Sequence, residues 1–322
     1  MTAMRTFMQS RRHRPRSRDG GFSLIELMVA LTIGLFIVAG MLASYATSSA
    51  SNRTNARVAE FQTNGRFATD FLRRELQHSG FAGLSWTNLT LTGTTGTAEY
   101  GCGPGFAANI NKPIWGANDS NPYSSTCIPT TTSAPNYARG DILVLRRADL
   151  DAIPTTATLS ATSLYFRSEY LQGSVFVGPT RPANLQSPVA DYLLHTDVYY
   201  IKTCTSMPDT TCESPPVPAL YRMTLGTGPA MTAQLIASNI ENMQVQYGVN
   251  TTAGTRFYNA DDPDLASLWT SVVAVRLWLL ARSTSLDSGY SNTSQNTMGD
   301  QIVTAADGYQ RQVFPLVVQI RK

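Results

Sequence analysis

Residues 20–45 read GGFSLIELMVALTIGLFIVAGMLASY, and this stretch decides the fold. From Phe22 to Tyr45 the run is apolar and carries a single charge, Glu26. As a helix its 24 residues are roughly 36 Å long, enough to cross a hydrocarbon core of about 30 Å. A carboxylate near the start of such a run costs ~2.5–3.5 kcal/mol on insertion scales, so it calls for a partner and a job. A cut after Gly21 would supply the partner: the new terminus is Phe22, whose ammonium lies one helical turn from Glu26.

The flanks support that cut. Residues 1–19 hold Arg5, Arg11, Arg12, Arg14, Arg16 and Arg18 against one acid, Asp19, a net charge of +5. Positive charge ahead of an apolar segment holds that end in the cytoplasm, so the chain from Ala46 onward is expected on the far side. An ordinary secretory signal fits less well, because its apolar region is ~7–15 residues long and ends at a small-residue cleavage site. Here the run is longer, charged at its start, and has its best cleavage site ahead of it.

The segment from Gly21 to Leu27, Gly-Phe-Ser-Leu-Ile-Glu-Leu, resembles the class III signal of type IV pilins and type II secretion pseudopilins. The resemblance implies that a prepilin peptidase cuts between Gly21 and Phe22 and methylates the amine of Phe22. It also implies that Glu26 pairs with the N-terminal amine of a neighbouring subunit during filament assembly. The fold it implies is α+β: a long N-terminal helix packed on an elaborated antiparallel β-sheet head. The expected divisions are a leader (1–21), a membrane-spanning or filament-core half-helix (22–45), an amphipathic half-helix (46–79) and a globular head (80–322).

Composition fits this picture. The formal charge of +3 includes the leader's +5, so the remainder nets −2 and carries no global basic footprint for nucleic acid. Lysine is confined to Lys112, Lys202 and Lys322, and Thr, Ser, Asn and Gly abound, as suits an extracytoplasmic surface. The four cysteines fall into two close pairs, Cys102 with Cys127 and Cys204 with Cys212. None forms Cys-x-x-Cys and no His is near, which argues against zinc and thioredoxin-like chemistry. On the translocated side two local disulfides are favoured, although three pairings are formally possible.

Proline is absent from 46–79, and apolar or small residues recur at Val58, Phe61, Gly65, Ala68, Leu72 and Leu76. Those steps of three and four mark one helical face, with Gly80 as the stop. A helix over 22–79 is expected, with Arg66–Asp70 and Asp70–Arg74 as i,i+4 ion pairs. Beyond Gly80 the period falls to two, with Gly, Pro and Asn between runs. Strands are expected at 84–92, 141–147, 164–167, 174–177, 196–203, 219–225, 240–249, 272–282 and 313–320. The intervals 204–218, 250–268 and 284–310 read as long polar loops on a single head.

Patches of the head narrow the resemblance. The strand Arg139-Gly140-Asp141-Ile142-Leu143-Val144-Leu145-Arg146 is similar to one in the PilW family of minor pilins. So are the run from Ile236 to Gly248, the apolar strand from Val272 to Ser283, and Arg311-Gln312-Val313-Phe314. That family is similar in design to the J-type pseudopilin of type II secretion. The resemblance implies a minor pilin that helps initiate pilus assembly and sits at or near the tip. The partners it implies are other minor pilins, the major pilin, prepilin peptidase and an inner-membrane assembly platform, with a tip adhesin as a further candidate. The site it implies is a single-pass inner-membrane precursor with a periplasmic head in a Gram-negative-type envelope, then the pilus tip or cell surface. The size of the head independently favours a minor subunit. The alternatives are a J-type pseudopilin and a tip-displayed adhesin or other binding module.

No Gly-x-Ser-x-Gly, phosphate loop or His-Glu-x-x-His occurs, so no catalytic residue, cofactor or metal is expected. Arg139-Gly140-Asp141 spells an adhesion tripeptide but opens a buried-looking strand. Asp261, Asp262 and Asp264 lack calcium-loop spacing, and Asp264 reads as the cap of a short helix over 265–269. The loops 93–138 and 284–310 are nearly devoid of basic residues, which disfavours DNA binding.

Overall fold

The computed structural model describes residues 21–84, 91–92, 102, 106–123, 127–128, 137–170, 172–183, 187–206, 212–226, 231–287 and 289–320. The expected leader, apart from Gly21, and residues 85–90 of the first expected strand lie outside them. One long helix, α1, runs Leu24–His78. Among the described residues fourteen strands follow: β1 Leu91–Thr92, β2 Ile114–Ala117, β3 Arg139–Ala148, β4 Leu164–Glu169, β5 Gly173–Val177, β6 Val189–Lys202 and β7 Ala219–Leu225. They continue with β8 Met231–Ser238, β9 Ile240–Thr251, β10 Gly254–Tyr258, β11 Val272–Arg282, β12 Gln295–Met298, β13 Gln301–Thr304 and β14 Arg311–Gln319. Met1–Arg53 and Thr54–Lys322 are two compact units.

In the first unit, every large apolar side chain from Phe22 to Tyr45 is exposed. The helix there is long and apolar enough to cross a membrane. In the second unit, α1 from Thr54 onward buries Phe61, Gly65, Ala68, Thr69, Leu72 and Leu76, the face that steps of three and four predict. Gly80, at φ +79°, ends the helical path in the left-handed region, and its N–H bonds the Arg146 carbonyl at 2.9 Å. Asp70 meets Arg73 at 3.9 Å, a spacing of three, in place of the expected Arg66 and Arg74 pairs. All these side chains lie on the wet face, where rotamer freedom selects among equivalent partners.

The head is built from an eight-stranded sheet, a four-stranded sheet and a two-stranded hairpin. The four-stranded sheet runs β10-β9-β11-β14, antiparallel throughout. The larger sheet runs β1-β5-β4-β6-β3-β2, with β7 also on β6 and β8 on β7; its pairs are antiparallel apart from β1–β5. Its long strand β6 pairs with β4 through Val189–Leu193, then with β3 and β7 through its second half. The chief core gathers the helix face, Leu143 and Leu145 of β3, Tyr199 and Ile201 of β6, Val245 of β9, Leu277 of β11 and Phe314 of β14. On the other face of the larger sheet, Ile142, Val144, Val198 and Tyr200 pack with Cys127 and Ile128. Burial on both faces explains why β3 reads as a continuous apolar run.

Strands β7 and β11 keep the expected limits, and six other expected strands are present with shifted ends. Strands β2 and β8 fall where no strand is expected, and four further features correct the sequence reading. Strand β6 starts at Val189, seven residues earlier than expected. The interval 250–268 holds β10, turned back on β9 around Gly254 at φ +114°. The interval 284–310 holds the β12–β13 hairpin, turned at Gly299 and Asp300. Asp264 caps nothing with its side chain; Asp262 Oδ1 instead accepts the Asp264 N–H at 3.0 Å ahead of a 3-10 turn over Leu265–Ser267.

Candidate functional site

The segment that carries the processing expectation lies at the start of α1. Gly21, Phe22 and Ser23 stand outside the helix. Phe22 is 87% exposed, and a Cβ placed on Gly21 would meet nothing within 4 Å. The Ser23 carbonyl accepts the first helical bond, from the Leu27 N–H, at 3.1 Å. Its hydroxyl accepts the Glu26 N–H at 3.2 Å, and Glu26 Oε2 accepts the Ser23 N–H at 2.9 Å. Two backbone donors that a helix start leaves bare are thereby satisfied reciprocally, the arrangement called a capping box. Glu26 thus has a partner within its own chain.

In the second unit a polar seam fastens α1 to the head. Asp287 accepts from the Thr54 hydroxyl at 3.2 Å and from Gln310 Nε2 at 2.9 Å, and lies 3.8 Å from Arg57. Glu60 Oε1 accepts from the Thr284 hydroxyl at 3.1 Å, and Asn64 donates to Ser238 at 3.1 Å. Beside the seam, Arg311 bonds Glu241 at 2.6 Å and Asp307 at 2.5 Å, with its own side chain only 2% exposed. Its hydrogen bonds to the two carboxylates outweigh burial and push the guanidinium pKa up from its ordinary value.

A second polar joint ties the two large sheets together. The Arg139-Gly140-Asp141 tripeptide lies in it: Gly140, at φ +81°, sits against the Met243 backbone. Asp141 accepts the Val245 N–H at 2.7 Å and the Asp119 N–H at 3.0 Å. Asp119 in turn accepts from Gln244 at 2.9 Å and Gln301 at 2.5 Å. Burial raises the Asp141 carboxyl to about 7, opposed by the two backbone N–H groups and reinforced by Asp119 and Asp300. Asp261 and Asp300 share the Nδ2 of Asn118 at 3.0 and 3.2 Å, while Asp264 lies 3.8 Å from Arg256. No group of three or more His, Cys, Asp or Glu able to hold a metal ion occurs among the described residues.

The cysteines are paired Cys102–Cys127 and Cys204–Cys212, spanning 25 and 8 residues. The first bridge lies against the core with Phe106 and Tyr123, and encloses β2. Next to the second, Glu213 accepts from the hydroxyl of Thr205, whose carbonyl accepts the Tyr221 hydroxyl at 2.8 Å.

Residues 16–42 match the prokaryotic N-terminal methylation motif, a span holding Gly21, Phe22, Ser23 and Glu26. Residues 198–322, from the second half of β6 onward, match the family of Type IV Pilus-assembly protein W. The chain is type IV pilus-related. No curated protein and no solved structure matches it. This pilus-related protein is membrane-anchored and pilin-like, with its head outside the cytoplasm.

The Glu241–Arg311–Asp307 cluster lies within the pilus-assembly match and the Gln244–Asp119 bond reaches out of it; both join residues that read in the sequence only as strand or loop. Their partners lie 70 and 125 residues apart, too far for local spacing to signal. Ser23 is different, since Ser-x-x-Glu ahead of an apolar run is a legible capping signature.

Proposed function

We propose that this protein is a minor pilin, cut by a prepilin peptidase between Gly21 and Phe22 and methylated at Phe22. In this role it helps initiate pilus assembly and sits at or near the tip. The observation that carries the proposal is the contrast within one helix. Its first stretch exposes every large apolar side chain and one carboxylate, and its second is packed on the head. Such a stretch needs lipid before assembly and neighbouring helices after it. Paired there with a neighbour's N-terminal amine, Glu26 offsets two charges that hydrocarbon would penalise and fixes axial register. Cleavage is required because an intact leader would draw its arginines into the apolar filament core. The other minor pilins, the major pilin and the inner-membrane assembly platform are the partners this role requires, with the tip open to a separate adhesin. The pilus-assembly match favours the pilus over type II secretion.

Mass spectrometry of the N-terminus in cells with and without prepilin peptidase tests the first step. The expected mature chain begins at N-methylated Phe22 and is lost without the peptidase. A terminus near Ala46, or an intact leader in both strains, would overturn the proposal. Glu26→Ala is expected to insert normally yet fail to join the assembling complex; normal piliation in that variant would remove Glu26 from assembly.

A further inference from the structure

The capping box has a consequence for the peptide bond two residues ahead of it. Membrane-embedded backbone is driven to satisfy its donors internally, so a helix that starts in an apolar run tends to propagate in both directions. Were α1 to run back through Phe22, the Gly21 carbonyl would accept the Ile25 N–H and the Phe22 carbonyl the Glu26 N–H, in the i→i−4 pattern. A scissile carbonyl so engaged is turned along the helix axis and closed to a peptidase. In the structure the Glu26 N–H is bonded to the Ser23 hydroxyl at 3.2 Å, and the Ser23 N–H to Glu26 Oε2 at 2.9 Å. Both bonds compete with backward propagation, and α1 begins at Leu24.

Gly21 separates a second requirement from this one. Among the described residues nothing comes within 4 Å of a Cβ placed on it, and its φ is outside the left-handed region, so none of them requires glycine there. Its missing side chain serves whatever enzyme holds the segment, whereas Ser23 serves the conformation in which the segment is presented.

We propose that Ser23 is a positioning residue for processing: as N-cap it halts α1 short of the Gly21–Phe22 bond and leaves the Gly21 carbonyl free for hydrolysis. The inference rests on cleavage at that bond. Water adds across it: hydroxide goes to the Gly21 carbonyl carbon, the C–N bond breaks, and the proton goes to the Phe22 nitrogen. A carboxylate leaves with the leader and an ammonium stays at Phe22. Glu26 then has two separable roles. It supports the cap through a hydrogen bond that glutamine can also make, and it serves assembly through its charge.

The test uses the full-length chain in membrane vesicles with purified prepilin peptidase, following cleavage by mass spectrometry. Ser23→Ala is expected to slow cleavage roughly 2- to 30-fold, the factor that loss of an N-cap implies. Ser23→Thr, which keeps the hydroxyl, is expected to restore the rate to within about threefold of the original, since threonine is only a slightly poorer cap. Glu26→Gln, which keeps a side-chain acceptor for the Ser23 N–H, is expected to be cut faster than Ser23→Ala while failing to assemble. A carbon-13 label on the Gly21 carbonyl supplies a readout of conformation: its infrared band should move towards the helical position in Ser23→Ala and not in Ser23→Thr. Cleavage of Ser23→Ala at the unaltered rate, or a slowing that Ser23→Thr does not rescue, would overturn the role of Ser23. Absence of any cut at Gly21–Phe22 in the unaltered chain would instead overturn the cleavage reading, and this inference with it.

Discussion

Two stretches of α1 treat the same kinds of residue in opposite ways. From Leu24 to Arg53 no residue is buried, whereas from Thr54 to His78 the face at Phe61, Gly65, Ala68, Leu72 and Leu76 is closed over by the head. The glycines show the same division. A Cβ on Gly34 would meet nothing within 4 Å, but one on Gly65 would fall 2.4 Å from the Phe314 ring. The second stretch is finished structure, fixed by contacts within its own chain. The first, in the function proposed above, is half of an interface whose side chains answer to lipid or to other subunits. Substitutions in the second should therefore register as folding energy, and those in the first as assembly with folding untouched.

The sharpest way to break this comparison is to remove a charge from each stretch's surroundings. Arg311→Ala leaves Glu241 buried without its closest partner and is expected to cost about 3–5 kcal/mol, read by denaturant unfolding of the detergent-solubilised chain. Glu26→Ala should leave that unfolding curve in place. A second comparison uses leucines. Leu72→Ala should cost about 2–5 kcal/mol, while Leu35→Ala, at a side chain 72% exposed, should leave the melting temperature unmoved. A shift with Leu35→Ala would show that the first stretch also helps stabilise the head. Gly65→Ala should cost about 1–3 kcal/mol because Phe314 has to move, whereas Gly34→Ala should change only assembly, measured by piliation.

A further test is a pH dependence belonging to the head alone. The Asp141 pKa is raised to about 7 in the folded protein, above its unfolded value near 4. The unfolded chain therefore loses this proton first as pH rises. The contribution is fully present below about pH 4 and is lost as pH rises through about 7, so stability declines across that window. Asp141→Asn should flatten the decline in unfolding midpoints measured between pH 4 and 8. An unchanged slope would show that another group sets it.

How much of this was legible in the sequence follows from where the constraints lie. The helix was readable because one face obeys a single period from Val58 to Leu76. Strand β11 was readable because Val275, Leu277, Leu279 and Ala281 recur at every second position along its buried face. Strands β12 and β13 were missed because their residues, Gln-Asn-Thr-Met and Gln-Ile-Val-Thr, form a polar two-stranded ribbon with little core to face. The Gly299-Asp300 pair between them was the usable signal. At the site, Gly21, Phe22 and Glu26 stood out through spacing. Ser23 is legible only as a cap, through Ser-x-x-Glu ahead of an apolar run, inside a segment that also reads as a processing motif. The seam around Asp287 was not legible at all, since Thr54 and Asp287 are 233 residues apart.

That separation also bears on the order in which the protein is made. Gln62 leaves the ribosome 250 residues ahead of Gln312, its hydrogen-bonding partner on β14. Phe314, which fills the space over Gly65, arrives just as late. During export the helix comes first, and its apolar flank has to wait for almost the whole head before its cover is synthesised. A chain interrupted anywhere short of β14 keeps part of that flank open to water, marked as incomplete for any protease or holding chaperone that reads exposed apolar surface.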